Sequence, residues 1–304
     1  MAGSFDARDF PPARVLGAKR GQRVSVCVPA RNEADTIAEV VGVLVTDLLA
    51  PGLVDEVVVI DDSSTDATAA LAEAAGAVVW DSSAVLPGHP AGPGKGEALW
   101  RAVHVSDGDI VAFCDADVRH FEASFVLGLI GPLLERADVG FVKAHYRRPL
   151  EGRPGEGGRV TELMARPLIA ALFPHLRAII QPLAGEVAAR REVLEAVPFA
   201  GGYAVDLGLL IDVSARWGVD VIAQCDLGQR VHRNRPLVEL GPQALAILEM
   251  GLERAGVDPP ALDDGGGPSA GWITALSRPD AADVAVSLTT LPPLHHLDAD
   301  LRPA

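Results

Sequence analysis

Gly108-Asp109-Ile110-Val111-Ala112-Phe113-Cys114-Asp115-Ala116-Asp117 is an apolar, strand-forming run that ends abruptly in two carboxylates one residue apart. Side chains alternate along a strand, so Asp115 and Asp117 point the same way if the extended geometry persists. Such a pair suits a hard divalent cation, because magnesium and manganese take carboxylate oxygens and keep positions open for phosphate oxygens. Short Asp-x-Asp pairs also serve turns and helix caps, so the surrounding pattern has to decide.

Outward from this stretch the chain alternates strands and helices. Val24-Ser25-Val26-Cys27-Val28-Pro29 is a strand halted by proline, followed by a polar loop and by Ile37, Val40, Val41 and Leu44 at helical spacing. Glu56-Val57-Val58-Val59-Ile60 is a β-branched run of the kind buried parallel strands show. The segment Asp61 to Asp66 then caps a helix through Leu71 to Ala75. Ala77 to Trp80 is a third, shorter strand; Pro87 to Gly96 is a Gly/Pro-rich loop closing on Lys95, and Glu97 to Val105 is a helix. This order predicts right-handed βαβ crossovers and an α/β fold with a Rossmann-like, mostly parallel sheet flanked by helices. Ligands gather at the strand C-termini of such sheets, and Glu33, Asp61, Asp62, Asp115 and Asp117 all fall there.

Composition bounds the function. At 304 residues the chain can bury a full core, and with 49% hydrophobic but only 5% aromatic residues that core is aliphatic. A formal net charge of -15 argues against a nucleic-acid partner, since phosphate-backbone binding needs a basic surface. No apolar segment approaches the roughly 18 residues of a membrane span, and Met1 to Arg23 has no signal-peptide core, so a cytoplasmic location is expected. Cys27, Cys114 and Cys225 stand in or beside apolar runs and read as buried free thiols.

Four motifs in chain order, Val26-Cys27-Val28-Pro29-Ala30-Arg31-Asn32-Glu33, Val59 to Asp66, Gly94-Lys95-Gly96-Glu97-Ala98-Leu99 and Asp115-Ala116-Asp117, resemble those of a GT-A glycosyltransferase. No Gly-x-Gly-x-x-Gly strand exit is present, which disfavours a dinucleotide dehydrogenase. The second half narrows the likeness. Phe141 to Leu150, Gly157 to Leu168, Gln181-Pro182-Leu183-Ala184-Gly185-Glu186 and Val231 to Pro236 resemble the actinobacterial glucosyl-3-phosphoglycerate synthases, with coverage from about Val24 to Gly256. The resemblance implies transfer of glucose from UDP-glucose to D-3-phosphoglycerate with retention at the anomeric carbon, magnesium or manganese as cofactor, and a place at the start of methylglucose lipopolysaccharide synthesis. Two alternatives stay open: the same fold acting on GDP-mannose or another nucleotide sugar, and a non-catalytic nucleotide-sugar binding protein. The resemblance implies a donor-binding half (24–150) and an acceptor-binding half (151–256), while Pro/Gly content and weak periodicity mark an irregular lead-in (1–23) and a partly flexible C-terminal extension (257–304). The extension is a flap or dimer contact, and a homodimer is expected.

For the donor, the resemblance assigns the Pro29, Ala30 and Arg31 backbone and the Glu33 carboxylate to uridine and ribose. The other reading of Glu33 is a first-turn helix acid favoured by the dipole. Asp62 also touches the nucleotide, at a position where the family more often has Ser. Lys95, between two glycines, brings an ammonium toward a phosphate or the base. Asp115 with Ala116 lies near ribose or sugar; Asp117 and His232 hold the metal. His232 has Arg230, Arg233, Asn234 and Arg235 around it, donors that make a local anionic site. For the acceptor, Gly158, Arg159 and Thr161 offer a phosphate what it needs, although a plain helix cap fits them too. Tyr203 and Asn234 join the acceptor side. Asp206 stands where the family carries an acid, commonly Glu, and is catalytic with Asp115 and Asp117 by resemblance; a helix N-cap is its alternative.

Overall fold

The β-branched runs form strands, and segments without that signature join them. The computed structural model describes residues 1–89, 94–147, 158–232, 237–257, 275–278, 281–285 and 289–297. The strands are β1 (Gly3–Asp6), β2 (Val24–Ala30), β3 (Glu56–Asp61), β4 (Val78–Asp81), β5 (Ile110–Phe113), β6 (Val118–Arg119), β7 (Phe141–Arg147), β8 (Val187–Arg190), β9 (Phe199–Ala200), β10 (Ile222–Gln229), β11 (Val231–His232), β12 (Ala275–Arg278), β13 (Ala281–Ala285) and β14 (Thr290–Leu291). The helices are α1 (Pro12–Lys19), α2 (Ile37–Val43), α3 (Thr68–Ala74), α4 (Lys95–Val105), α5 (Ala123–Glu135), α6 (Arg166–Leu172), α7 (Arg191–Glu195), α8 (Val205–Trp217) and α9 (Leu237–Arg254).

Among the described residues the main sheet has eight strands in the order β1-β10-β7-β8-β5-β2-β3-β4. All neighbours pair in parallel except β8, which runs antiparallel to both β5 and β7. The chain leaves β2 toward β3 and β4 on one side and returns to β5 on the other. A crevice therefore opens past the C-terminal ends of β2 and β5, where the order reverses.

Strand alternation sorts the core into two layers. Val26, Val28, Val57, Val59 and Ala112 pack with α1, α2, α3 and α5 on one face. Cys27, Val58, Ile60, Val111 and Phe113 pack with α4 and α6 to α9 on the other. All three cysteines are buried and free, as expected. Each fully buried Val, Leu or Ile side chain contributes about 1.5–3 kcal/mol, so these layers hold the strand ends rigidly in place.

Residues 1–23, expected as an irregular lead-in, are instead structured. β1 extends the sheet beside β10, and α1 buries Val15 completely. Gly3-Ser4-Phe5-Asp6 has no β-branched residue, so its strand conformation comes from pairing with β10 and not from local preference. The extension over 257–304 falls largely outside the described residues. Its described part includes β14, which pairs with β9, and Pro292, whose carbonyl accepts the Trp100 Nε1 hydrogen bond at 2.8 Å.

Candidate active site

At the crevice lies a cavity of about 730 Å³, a size usual for ligand sites. It is lined by Pro29 and Ala30 at the end of β2, Arg31 and Glu33 after it, Asp62 after β3, Lys95 at the start of α4, and Asp115, Ala116 and Asp117 after β5. The same cavity is lined by Gly158, Arg159 and Thr161 ahead of α6, and by Tyr203 and Asp206 at the entry to α8. Of the remaining predicted residues, Asn234 lies outside the described residues. His232 has only its backbone described: it pairs with Val118, the residue after Asp117.

Several local alternatives are now decided. β6, not a helix, follows Asp117, so that residue caps nothing. Glu33 stands ahead of α2, which begins at Ile37, so it is not a first-turn acid. Ala204 occupies the N-cap position of α8, and Asp206 sits within the first turn with its carboxylate turned to Lys95. Thr161 opens a π-helical turn (Thr161–Ala165) without a side-chain cap bond, and Glu162 N–H donates to the Gly158 carbonyl instead. The Asp66 carboxylate does serve the start of α3, accepting from Thr68 N–H at 3.0 Å.

Charge organises the centre. Lys95 Nζ lies 3.0 Å from Asp115 Oδ1 and 3.1 Å from Asp206 Oδ2. Burial alone would favour the neutral amine, but the two carboxylates outweigh it and hold the Lys95 pKa above its ordinary value. Burial likewise works against charge on Asp115, and Lys95 and Arg230 overcome it, keeping that carboxyl ionised far below the usual range. Gly96, the second glycine of the Gly-Lys-Gly loop, is needed because a Cβ there would collide with the Ala200 carbonyl.

Although β5 ends at Phe113, Asp115 and Asp117 still converge. Arg230 Nη2 donates to Asp115 Oδ2 at 3.1 Å and to Asp117 Oδ1 at 3.0 Å. This corrects one expectation: Arg230 is not a free donor for an anionic ligand, because it is 3% exposed and committed to carboxylates. The donor set fits a hard divalent cation. Asp115, Asp117, Glu186 and Asp206 outnumber Lys95, Lys143 and Arg230 by one charge, and both aspartates line the cavity.

Other parts of the site were not anticipated from the sequence. Glu97, 5% exposed, accepts the Gly202 N–H at 2.9 Å and so ties α4 to the loop carrying Tyr203. Lys143, fully buried, donates to the Asp206 carbonyl at 3.0 Å, and burial pushes its ammonium down to about 8. Leu240, Gln243 and Ile247 of α9 line the cavity as one stripe of a helix. A stripe at that spacing reads equally as core packing, so only tertiary placement reveals it.

Mostly parallel sheet, edge cavity and convergent carboxylate pair define a GT-A glycosyltransferase. The family model described as glycosyl transferase family 2 matches residues 25–192. The glucosyl-3-phosphoglycerate synthase of Mycolicibacterium paratuberculosis is 50% identical over 262 residues, covering 84% of this chain and 79% of that protein. That of Mycolicibacterium smegmatis is 48% identical over 258 residues, covering 84% of each chain. The crystal structure of the Mycobacterium tuberculosis synthase with phosphoglyceric acid superposes with a TM-score of 0.85 at 42% identity, over 97% of this chain and 99% of that one. The same synthase with Mn2+, UDP-glucose and phosphoglyceric acid gives a TM-score of 0.82 at 42% identity, over 94% and 95%. The chain belongs to the glucosyl-3-phosphoglycerate synthase family.

Proposed function

We propose that this enzyme transfers glucose from UDP-glucose to the hydroxyl of 3-phosphoglycerate, forming glucosyl-3-phosphoglycerate with magnesium or manganese bound. One observation carries this reading to the present chain: a single cavity joins the carboxylate pair and Lys95 to Arg159 and Thr161, so a diphosphate and a second anion fit side by side. Asp117 and His232 hold the metal. When bound, it supplies positive charge against the departing diphosphate. Pro29, Ala30, Arg31, Glu33 and Asp62 receive the nucleoside, and Asp115 with Ala116 lies against ribose and sugar. Gly158, Arg159 and Thr161 take the acceptor phosphate, Arg159 through its forked guanidinium, and Tyr203 and Asn234 serve the same substrate.

The glucose is transferred with retention. The bond from the anomeric carbon to the diphosphate oxygen breaks, the acceptor oxygen bonds to that carbon from the same face, and the hydroxyl proton passes to the departing diphosphate. Asp206, 6% exposed and held by Lys95 at 3.1 Å, is suited to orienting the sugar rather than attacking it. The same reading includes a homodimer in the cytoplasm. Leu163 and Ile180 are 76% and 41% exposed, apolar side chains of the kind a second copy would cover. Three buried free thiols suit a reducing compartment.

Initial rates with UDP-glucose and GDP-mannose, each against 3-phosphoglycerate and glycerate, with and without chelator, test the reading. The expected result is turnover with UDP-glucose and 3-phosphoglycerate that chelator abolishes and manganese restores. Full activity in excess chelator, or preference for GDP-mannose, contradicts it.

A further inference from the structure

The segments Phe141 to Leu150 and Gln181 to Glu186 contribute two side chains that lie outside the cavity lining. Tyr146 and Glu186 are buried, at 4% and 1% exposed, in the layer behind the carboxylate pair. Tyr146 Oη donates to Glu186 Oε2 at 2.8 Å. Arg230 closes the set: its Nη1 lies 2.6 Å from Glu186 Oε1 and 2.8 Å from Tyr146 Oη, while its Nη2 reaches Asp115 and Asp117. Topology explains the placement. Parallel strands deliver their C-terminal ends to the active edge, but antiparallel β8 delivers its beginning, so Glu186, just before Val187, arrives beside the end of β5.

We propose that Glu186 is a positioning residue that sets the affinity of the site around Asp117 for a divalent cation by engaging the opposite side of Arg230. The inference rests on the metal-dependent reading above. A guanidinium shared between Glu186 and the aspartates neutralises each only in part, leaving the pair the negative charge a cation needs. Without Glu186, the whole charge of Arg230 falls on Asp115 and Asp117, Lys95 adds to it, and the cation must compete with both. Groups behind metal ligands typically change affinity by about 10–100-fold, and a buried charge in direct contact with the ligands' own partner belongs in that range.

The test measures binding of manganese alone, followed by loss of the free-ion paramagnetic resonance signal, and repeats it with UDP present. Glu186→Gln keeps shape and removes charge; it should raise the manganese dissociation constant by about 10–100-fold. Tyr146→Phe loses the hydroxyl's bonds with Glu186 and Arg230 but keeps every charge and the direct Glu186–Arg230 contact, so it should change the constant less than about threefold. The double variant Glu186→Gln with Arg230→Gln removes one charge of each sign, so its affinity should return to the wild-type value or exceed it. This recovery separates electrostatic positioning from a structural role, which predicts that the double variant is worse than either single one. An unchanged dissociation constant in Glu186→Gln overturns the proposal, as does a double variant at least tenfold weaker than wild type. If Glu186→Gln does not fold, the double variant and Tyr146→Phe decide alone. Wild-type protein that binds no manganese in either condition brings down the metal-dependent reading, and this inference with it. Tight wild-type binding matched by Glu186→Gln brings down this inference only.

Discussion

Asp117 and Asp62 are the two carboxylates whose single-residue roles can be separated most cleanly. Asp117 caps no helix, so Asp117→Asn should leave the unfolding free energy of the metal-free protein within about 1 kcal/mol of wild type. Turnover should nevertheless fall at least about tenfold, with partial recovery in excess manganese, since an amide is a poorer ligand for a hard cation. A manganese titration of turnover alongside thermal unfolding checks both, and wild-type turnover at low manganese would remove Asp117 from the metal site. Asp62 is 5% exposed; burial pushes its carboxyl up to about 6, against the pull of Arg31, whose Nη1 lies 3.7 Å away. A raised folded-state value means that the folded protein holds the proton more tightly than the unfolded chain. Its contribution is therefore full below about pH 4 and is lost as pH rises through about 6. The unfolding free energy of wild type relative to Asp62→Asn should thus drop between pH 4 and 7, by no more than about 3 kcal/mol. Denaturant melts at several pH values read this directly, and parallel curves for the two proteins would contradict it.

Elements, not single residues, explain what the sequence could disclose. β2, β3 and β5 are legible because parallel strands buried on both faces write continuous apolar runs, and their carboxylates announce the active edge by following those runs directly. β1 is illegible because it borrows its conformation from β10. The entry of β8 is illegible for another reason: an antiparallel insertion brings the start of a strand to the site, and no local pattern marks that reversal. Gly185 shows the consequence, since a Cβ at this position would run into the Asp115 carboxylate. Gly185→Ala should cost about 1–3 kcal/mol of stability and weaken UDP-glucose binding, because β8 or the carboxylate must shift. Gly42→Ala is the matching control. It lies within α2, and an added methyl there would meet only open space, so it should be neutral or stabilise by up to about 1 kcal/mol. Thermal unfolding and donor titration of both variants check the pair; equal effects would mean that the approach of β8 to Asp115 is not tight.

For the whole molecule, an acidic chain of net charge -15 has to receive two anionic substrates. It does so by concentrating Lys95 and Arg159 in one crevice and leaving the rest of the surface free to be acidic. That Glu33, Asp62, Lys95, Asp115 and Asp117 meet at one cavity was legible because each follows a strand or opens a helix in a repeating βα scheme. The charge balance among Lys143, Glu186 and Arg230 was not, since it depends on three strands meeting. The claim that this crevice performs same-face glucosyl transfer is tested most directly by proton magnetic resonance of the product formed from UDP-glucose and 3-phosphoglycerate with magnesium. The account predicts a single glucosyl-3-phosphoglycerate whose anomeric proton keeps the α configuration of the donor. A β-configured product, or free glucose with no glucosylated phosphoglycerate, would contradict it.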